Sequence, residues 1–126
     1  MQKEIIRSSE APAPIGPYSQ AVQAGGTLYV SGQVALDATS GELVNANITE
    51  ETHQVMKNLE AILRAAESSF ERVVKCTIFI RDMNEFTTIN EAYGQYFPDN
   101  PPARETVEVS RLPKDVNVEI SCVALV

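Results

Sequence analysis

Two stretches of helical periodicity, each followed by runs of alternating apolar residues, constrain the fold of this chain more than any other feature. In the first, Met56, Leu59, Leu63, Ala66 and Phe70 recur at spacings that predict a helix with one buried stripe. Thr49 stands where an N-cap is expected, and Glu50 and Glu51 suit the positive end of a helix. Residues 73–81 (VVKCTIFIR) then read as a strand. Alternation puts Val74, Cys76, Ile78 and Ile80 on one face, with Lys75, Thr77, Phe79 and Arg81 sharing the other with Val73.

The second helical stretch opens on Asp82 and Glu85, spaced as a capping box, and carries the stripe Phe86, Ile89, Tyr93 and Phe97. Asn90 falls on that stripe too, where a buried amide must find partners; a tie to a neighbouring loop is the expectation. Two strands follow, at 104–109 (RETVEV) and 116–126 (VNVEISCVALV). Upstream, 2–7 (QKEIIR) reads as a short strand, and SSEAPAPIGPYSQ as a proline-rich loop. AVQAG and TLYVSG form a hairpin about Gly25-Gly26, and 35–48 is a loop turning near Ser40-Gly41.

Strands, helix, strand, helix and two strands suggest an α+β layer, one sheet with both helices on a single face. At 126 residues and 44% hydrophobic, residues 1–126 suit a single domain with one core. The uncovered sheet face would carry Val73, Phe79, Val123 and Leu125 beside polar groups, which predicts a symmetric oligomer.

The formal net charge of −7 argues against a nucleic-acid partner and against anionic membranes. No apolar run has the length of a signal peptide or a membrane span, so the expected location is the cytoplasm. Cys76 and Cys122 sit in apolar runs and read as buried free thiols. His53 is the only histidine, and with no Cys-x-x-Cys pair no metal site is expected. Lys57, Glu60 and Arg64 lie near His53 on the helix, which points to a solvated face rather than a general base.

Two charged residues stand out. Arg104 follows Pro101-Pro102-Ala103 and opens a strand, while Glu119 lies between Val118 and Ile120. Each has a plain alternative: Arg104 could pair with Asp99, and alternation could point Glu119 at solvent. Spacing alone does not put them in one site. If they converge, a guanidinium forks onto a small organic acid and a carboxylate of raised pKa orients water. Ser31 and the Ser8-Ser9 pair lack an adjacent base, so no nucleophile is evident. Ser31-Gly32 is read as closing a strand and letting a ligand approach the backbone.

Pro102-Ala103-Arg104, Val107, Ser110, Leu112, Val118, Glu119 and Ile120 together resemble the C-terminal signature of the Rid (YjgF-like) family. Ile15-Gly16-Pro17-Tyr18-Ser19-Gln20-Ala21 and Ser31-Gly32-Gln33 resemble its N-terminal patterns. The resemblance implies a chorismate-mutase-like α+β fold, a single mixed sheet of about six strands with two helices on one face. It also implies a homotrimer with clefts between subunits. Archetypal members hydrolyse 2-aminoacrylate and 2-aminocrotonate imines, released by pyridoxal-phosphate-dependent serine and threonine dehydratases, without a cofactor or metal.

By the same resemblance Arg104 binds the carboxylate and Glu119 activates water. Tyr18, Ser31, Gly32 and Asn90 line the cleft, and Thr106 contacts the imine through its main chain. Thr106 stands where many bacterial members have cysteine, Glu105 where a small residue is usual, and Ser121 where a second acid is common. Strand alternation should turn Glu105 away from Arg104. Family members described as ribonucleases, translation inhibitors or chaperones keep other functions open, as does a 2-keto-acid-binding module. Arg104 favours the enzyme.

Overall fold

The computed structural model describes residues 2–126. Its six-stranded sheet has the order β1-β2-β3-β6-β4-β5. The strands are β1 (Glu4–Ile6), β2 (Ala21–Ala24), β3 (Thr27–Gln33), β4 (Val73–Ile80), β5 (Ala103–Glu108) and β6 (Val118–Leu125). All neighbours are antiparallel except β4 and β5, which run parallel. Helices α1 (Ile48–Ala65) and α2 (Phe86–Gly94) complete the expected mixed α+β architecture. A parallel pair needs a crossover connection, and α2 supplies it between β4 and β5.

The β2–β3 hairpin turns on Gly25 and Gly26, both at positive φ, in the two-residue loop expected there. The cap of α1 differs from expectation. Asn47, not Thr49, is the N-cap, its side chain accepting from the Glu50 N–H at 2.9 Å. An amide oxygen there satisfies an otherwise orphaned N–H, and the helix starts two residues earlier than a Thr49 cap would allow. Phe70 is not part of the α1 stripe; the helix ends at Ala65 and Phe70 opens a short 3-10 turn.

Strand β4 carries a second correction. The register with β6 shifts between Val73 and Lys75, so a bulge places Val73 inward and Val74 outward. One extra residue in a strand reverses alternation upstream of it, and that swaps these two valines. The capping box at α2 is also incomplete. Asp82 accepts from the Asn84 N–H, but the helix opens through a 3-10 turn over Met83–Glu85, and the Glu85 side chain makes no described return bond.

Both helices pack on the face that carries Leu28, Ile78, Ile80, Ile120 and Ala124, all fully buried. Of the three polar side chains buried on α1, Asn58 and Glu51 explain how loops are fixed. Asn58 donates to the carbonyls of Val34 and Leu36, each at 2.9 Å, tying down the chain after β3. Glu51 accepts from the Asn117 backbone and side-chain N–H groups, both at 2.8 Å, holding the entry to β6. Leaving such a buried carboxylate unpaired costs about 2–3 kcal/mol, so these bonds set where β6 begins. Among the described residues no helix is long and apolar enough to cross a membrane.

Candidate functional site

Arg104 is the second residue of β5 and stands in register with Cys76 of β4, so both side chains leave the helix-covered face. The guanidinium reaches under α2. Its Nη1 donates to Asn90 Oδ1 at 2.7 Å, and its carbon lies 5.6 Å from the Phe86 ring centroid and 5.2 Å from that of Tyr93. Phe86, Asn90 and Tyr93 sit at helical spacing, so one face of α2 forms the cradle. Asn90 is thus tied to Arg104 rather than to a loop. Arg104 makes no ion pair among the described residues, with Asp99 or otherwise.

A cleft of about 370 Å³ opens here, lined by Asn90, Tyr93, Phe97, Pro101, Pro102 and Arg104. Thr106 lies two residues on, on the same face, and its buried hydroxyl has no hydrogen-bond partner. Glu105 faces the opposite way and pairs with Lys75 at 3.0 Å, as alternation predicts, which removes it as a competitor for Arg104.

Glu119 occupies the other face of the sheet. It is in register with Phe79, which alternates with the buried Ile78 and Ile80. Half-burial pushes its carboxyl above the ordinary carboxylate range, because the charged form loses solvation. Gly32 packs directly on it. A β-carbon built on Gly32 would lie 2.5 Å from Glu119 Oε2 and 2.9 Å from its Cδ. The cause is a register shift in β3 between Val30 and Gln33. Ser31-Gly32 therefore bulges within the strand and does not close it.

The bulge is anchored to the proline-rich loop. Ser31 Oγ donates to the Ser19 carbonyl at 2.6 Å, and the Ser31 N–H to the Gln20 carbonyl at 2.9 Å. Buried Gln20 holds the loop in turn, accepting from the Ser8 N–H and donating to the carbonyls of Ser8, Ala11 and Pro12. Tyr18, 47% exposed, is carried on this loop and lines one small depression with Gly32.

The candidate residues therefore form two groups. Arg104, Asn90 and Thr106 lie under α2; Glu119, Gly32, Ser31 and Tyr18 lie at the bulge and its loop. One chain does not unite them, since Arg104 and Glu119 leave opposite faces of the sheet. The residues unread in the sequence are Phe86 and Tyr93, taken as core, and Gln20. Asn90 within the α2 stripe was the signal for the first two. His53 is partly buried rather than free in solvent, with Nδ1 2.8 Å from the Tyr96 hydroxyl and remote from both groups. No cluster suited to a metal ion occurs among the described residues.

A six-stranded mixed sheet backed by two helices, with an arginine cradle on one edge, defines a Rid-type α+β protein. The family described as Endoribonuclease L-PSP matches residues 8–126. The chain is 49% identical to the mouse 2-iminobutanoate/2-iminopropanoate deaminase over 123 residues, covering 98% of this chain and 91% of that one. It superimposes on a Yersinia pestis structure of the conserved Rid protein family with a TM-score of 0.96, at 44% identity, covering 99% of this chain and 100% of the other. Escherichia coli TdcF with bound serine is similar too, with a TM-score of 0.93, 40% identity and 98% of each chain covered. The chain belongs to the Rid (YjgF-like) family.

Proposed function

We propose that this chain is a cofactor-independent deaminase. In this reading it hydrolyses 2-iminobutanoate and 2-iminopropanoate, the imines released by pyridoxal-phosphate-dependent dehydratases, to 2-keto acids and ammonia in the cytoplasm. The observation that carries the reading is the Arg104 guanidinium, half-buried beneath α2 with no carboxylate partner of its own. Such a group favours an incoming carboxylate, which a fork of N–H donors grips with two parallel bonds. The kinship with the mouse deaminase supports the imine, and serine bound to TdcF supports a small amino or imino acid as the ligand class.

The second half of the site comes from another copy. The open sheet face exposes Tyr29 and Leu125 and carries Phe79, Val123 and Glu119 beside them, an apolar surface that a neighbour would bury. In a homotrimer, the assembly expected from the family resemblance, the bulge of one copy would meet the β5 edge of the next. Arg104 and Asn90 then hold the carboxylate, with the main chain at Thr106 beside the imine. Glu119 of the neighbouring copy, with Tyr18, Ser31 and Gly32 around it, holds the water. That water adds to the imine carbon as Glu119 takes its proton and passes it to the nitrogen, giving a carbinolamine. The carbinolamine hydroxyl proton then moves to the nitrogen, and ammonia leaves as the carbon–nitrogen bond breaks and the carbonyl forms. Positioning supplies much of the acceleration, since imines already hydrolyse in water.

The test follows the imine itself. Threonine dehydratase generates 2-iminobutanoate, semicarbazide traps what survives, and the chain is expected to lower the trapped fraction in proportion to its concentration. Light scattering on the same preparation should give three times the chain mass. An unchanged trapped fraction from folded, assembled protein would leave a 2-keto-acid-binding module as the better reading. RNA cleavage by the purified chain would favour the ribonuclease reading instead.

A further inference from the structure

A half-buried guanidinium with no anion beside it needs another source of stabilisation, or it folds back to solvent or finds a carboxylate. Around Arg104 that source is aromatic. Tyr93 is 5% exposed, its ring centroid lies 5.2 Å from the guanidinium carbon, and Phe86 flanks the same group at 5.6 Å. The negative π-face attracts a cation without neutralising it, whereas a carboxylate would occupy the donors a ligand needs. The Tyr93 ring is itself fixed, packed on Phe97 at 4.9 Å between centroids, and Phe97 on Phe70 at 5.4 Å. Its hydroxyl makes no conventional hydrogen bond and abuts the Cys76 thiol, a weak partner. The ring, not the hydroxyl, is therefore the part in use.

We propose that Tyr93 is a positioning residue for Arg104, its ring standing in for a counter-ion so that the guanidinium stays in place and free for a substrate carboxylate. This inference rests on the reading of Arg104 as the carboxylate anchor and adds a residue to it.

The experiment measures 2-ketobutyrate binding by calorimetry in the assembled protein, alongside imine kinetics, for Tyr93→Phe and Tyr93→Leu. The phenylalanine variant keeps the ring and should bind within about twofold of the parent, melting no lower because the lost hydroxyl had no good partner. The leucine variant should bind about tenfold more weakly and raise KM by a similar factor, with kcat within about threefold. A purely structural role would instead move melting temperature and kcat with KM unchanged. The Arg104 Nε–H proton reports the geometry independently. Ring currents should shift it upfield in the parent and in Tyr93→Phe, and Tyr93→Leu should return it towards its free position. A folded leucine variant that binds as well as the parent overturns the inference while leaving the anchor reading intact. If that variant does not fold, an unshifted Arg104 proton in the parent overturns it. A parent protein that binds no 2-keto acid removes both readings together.

Discussion

If the proposed reading holds, replacing Arg104 with alanine should lower kcat/KM for 2-iminobutanoate about a thousandfold and leave the assembled mass unchanged. Two charge-assisted hydrogen bonds to a carboxylate account for about 4 kcal/mol, which is about three decades in rate. The folding cost is smaller, because among the described residues Arg104 makes only the bond to Asn90 and its contacts with Phe86 and Tyr93. Together those contribute about 2–3 kcal/mol. Arg104→Lys keeps the charge without the fork, so its activity should fall between the two. Steady-state kinetics with light scattering on each variant decide the matter. If Arg104→Ala dissociates or melts far below the parent, the arginine holds the fold together and does not wait for a ligand.

The second large effect comes from adding a single methyl group. Gly32→Ala should lower kcat about a hundredfold or more while the KM set by Arg104 stays nearly constant. The new carbon would lie 2.5 Å from Glu119 Oε2, 2.9 Å from Cδ and 3.0 Å from Cγ. Moving the carboxylate tip alone does not relieve contacts along the whole side chain, so Glu119 must swing off its position. Glu119→Gln should cost a similar factor, and the double variant no more than the worse single one, because both would remove the group proposed to hold the water.

The pH profile separates this from simple misfolding. Burial raises the Glu119 pKa, so the carboxylate that the proposed mechanism uses as base is lost as pH falls through a value above the ordinary carboxylate range. The acid limb of kcat should sit there and disappear in Glu119→Gln. The sign for stability is opposite. A raised carboxyl pKa costs folding energy above it, and protonation relieves that cost as pH falls through it. An acid limb that persists without Glu119 would assign it to another group.

The sheet, both helices and the Gly25-Gly26 hairpin were legible in the sequence because each rests on periodicity or on turn residues with one steric meaning. The misreadings have a common physical origin. Val73 and Val74 exchanged faces because a bulge adds one residue, which alternation cannot register until the partner strand is known. Ser31-Gly32 looked like a strand end for the same reason. Asn47 displaced Thr49 because two capping candidates two residues apart compete through geometry that spacing does not encode.

Within the candidate site, Arg104 and Glu119 were visible as charges in apolar strands. Their separation onto opposite faces depends on which strand pairs with which. Arg104 takes its face from Cys76 on one side of β4, and Glu119 from Phe79 on the other. Phe86 and Tyr93 could not be told from core residues, since an aromatic beneath a helix and one beside a guanidinium share the same spacing. Gln20 was one polar letter in a loop until its partners at Ser8, Ala11 and Pro12 were in place.

The division of Arg104 and Glu119 between two faces has a consequence in genetic terms. If each cleft borrows its anchor from one chain and its base from the next, a chain lacking the anchor still lends its base to a neighbour. Alleles damaged in different halves would then complement each other in a mixed cell, and alleles damaged in the same half would not. A single defective allele would also reach beyond its own product, disabling clefts in rings built mostly from sound chains.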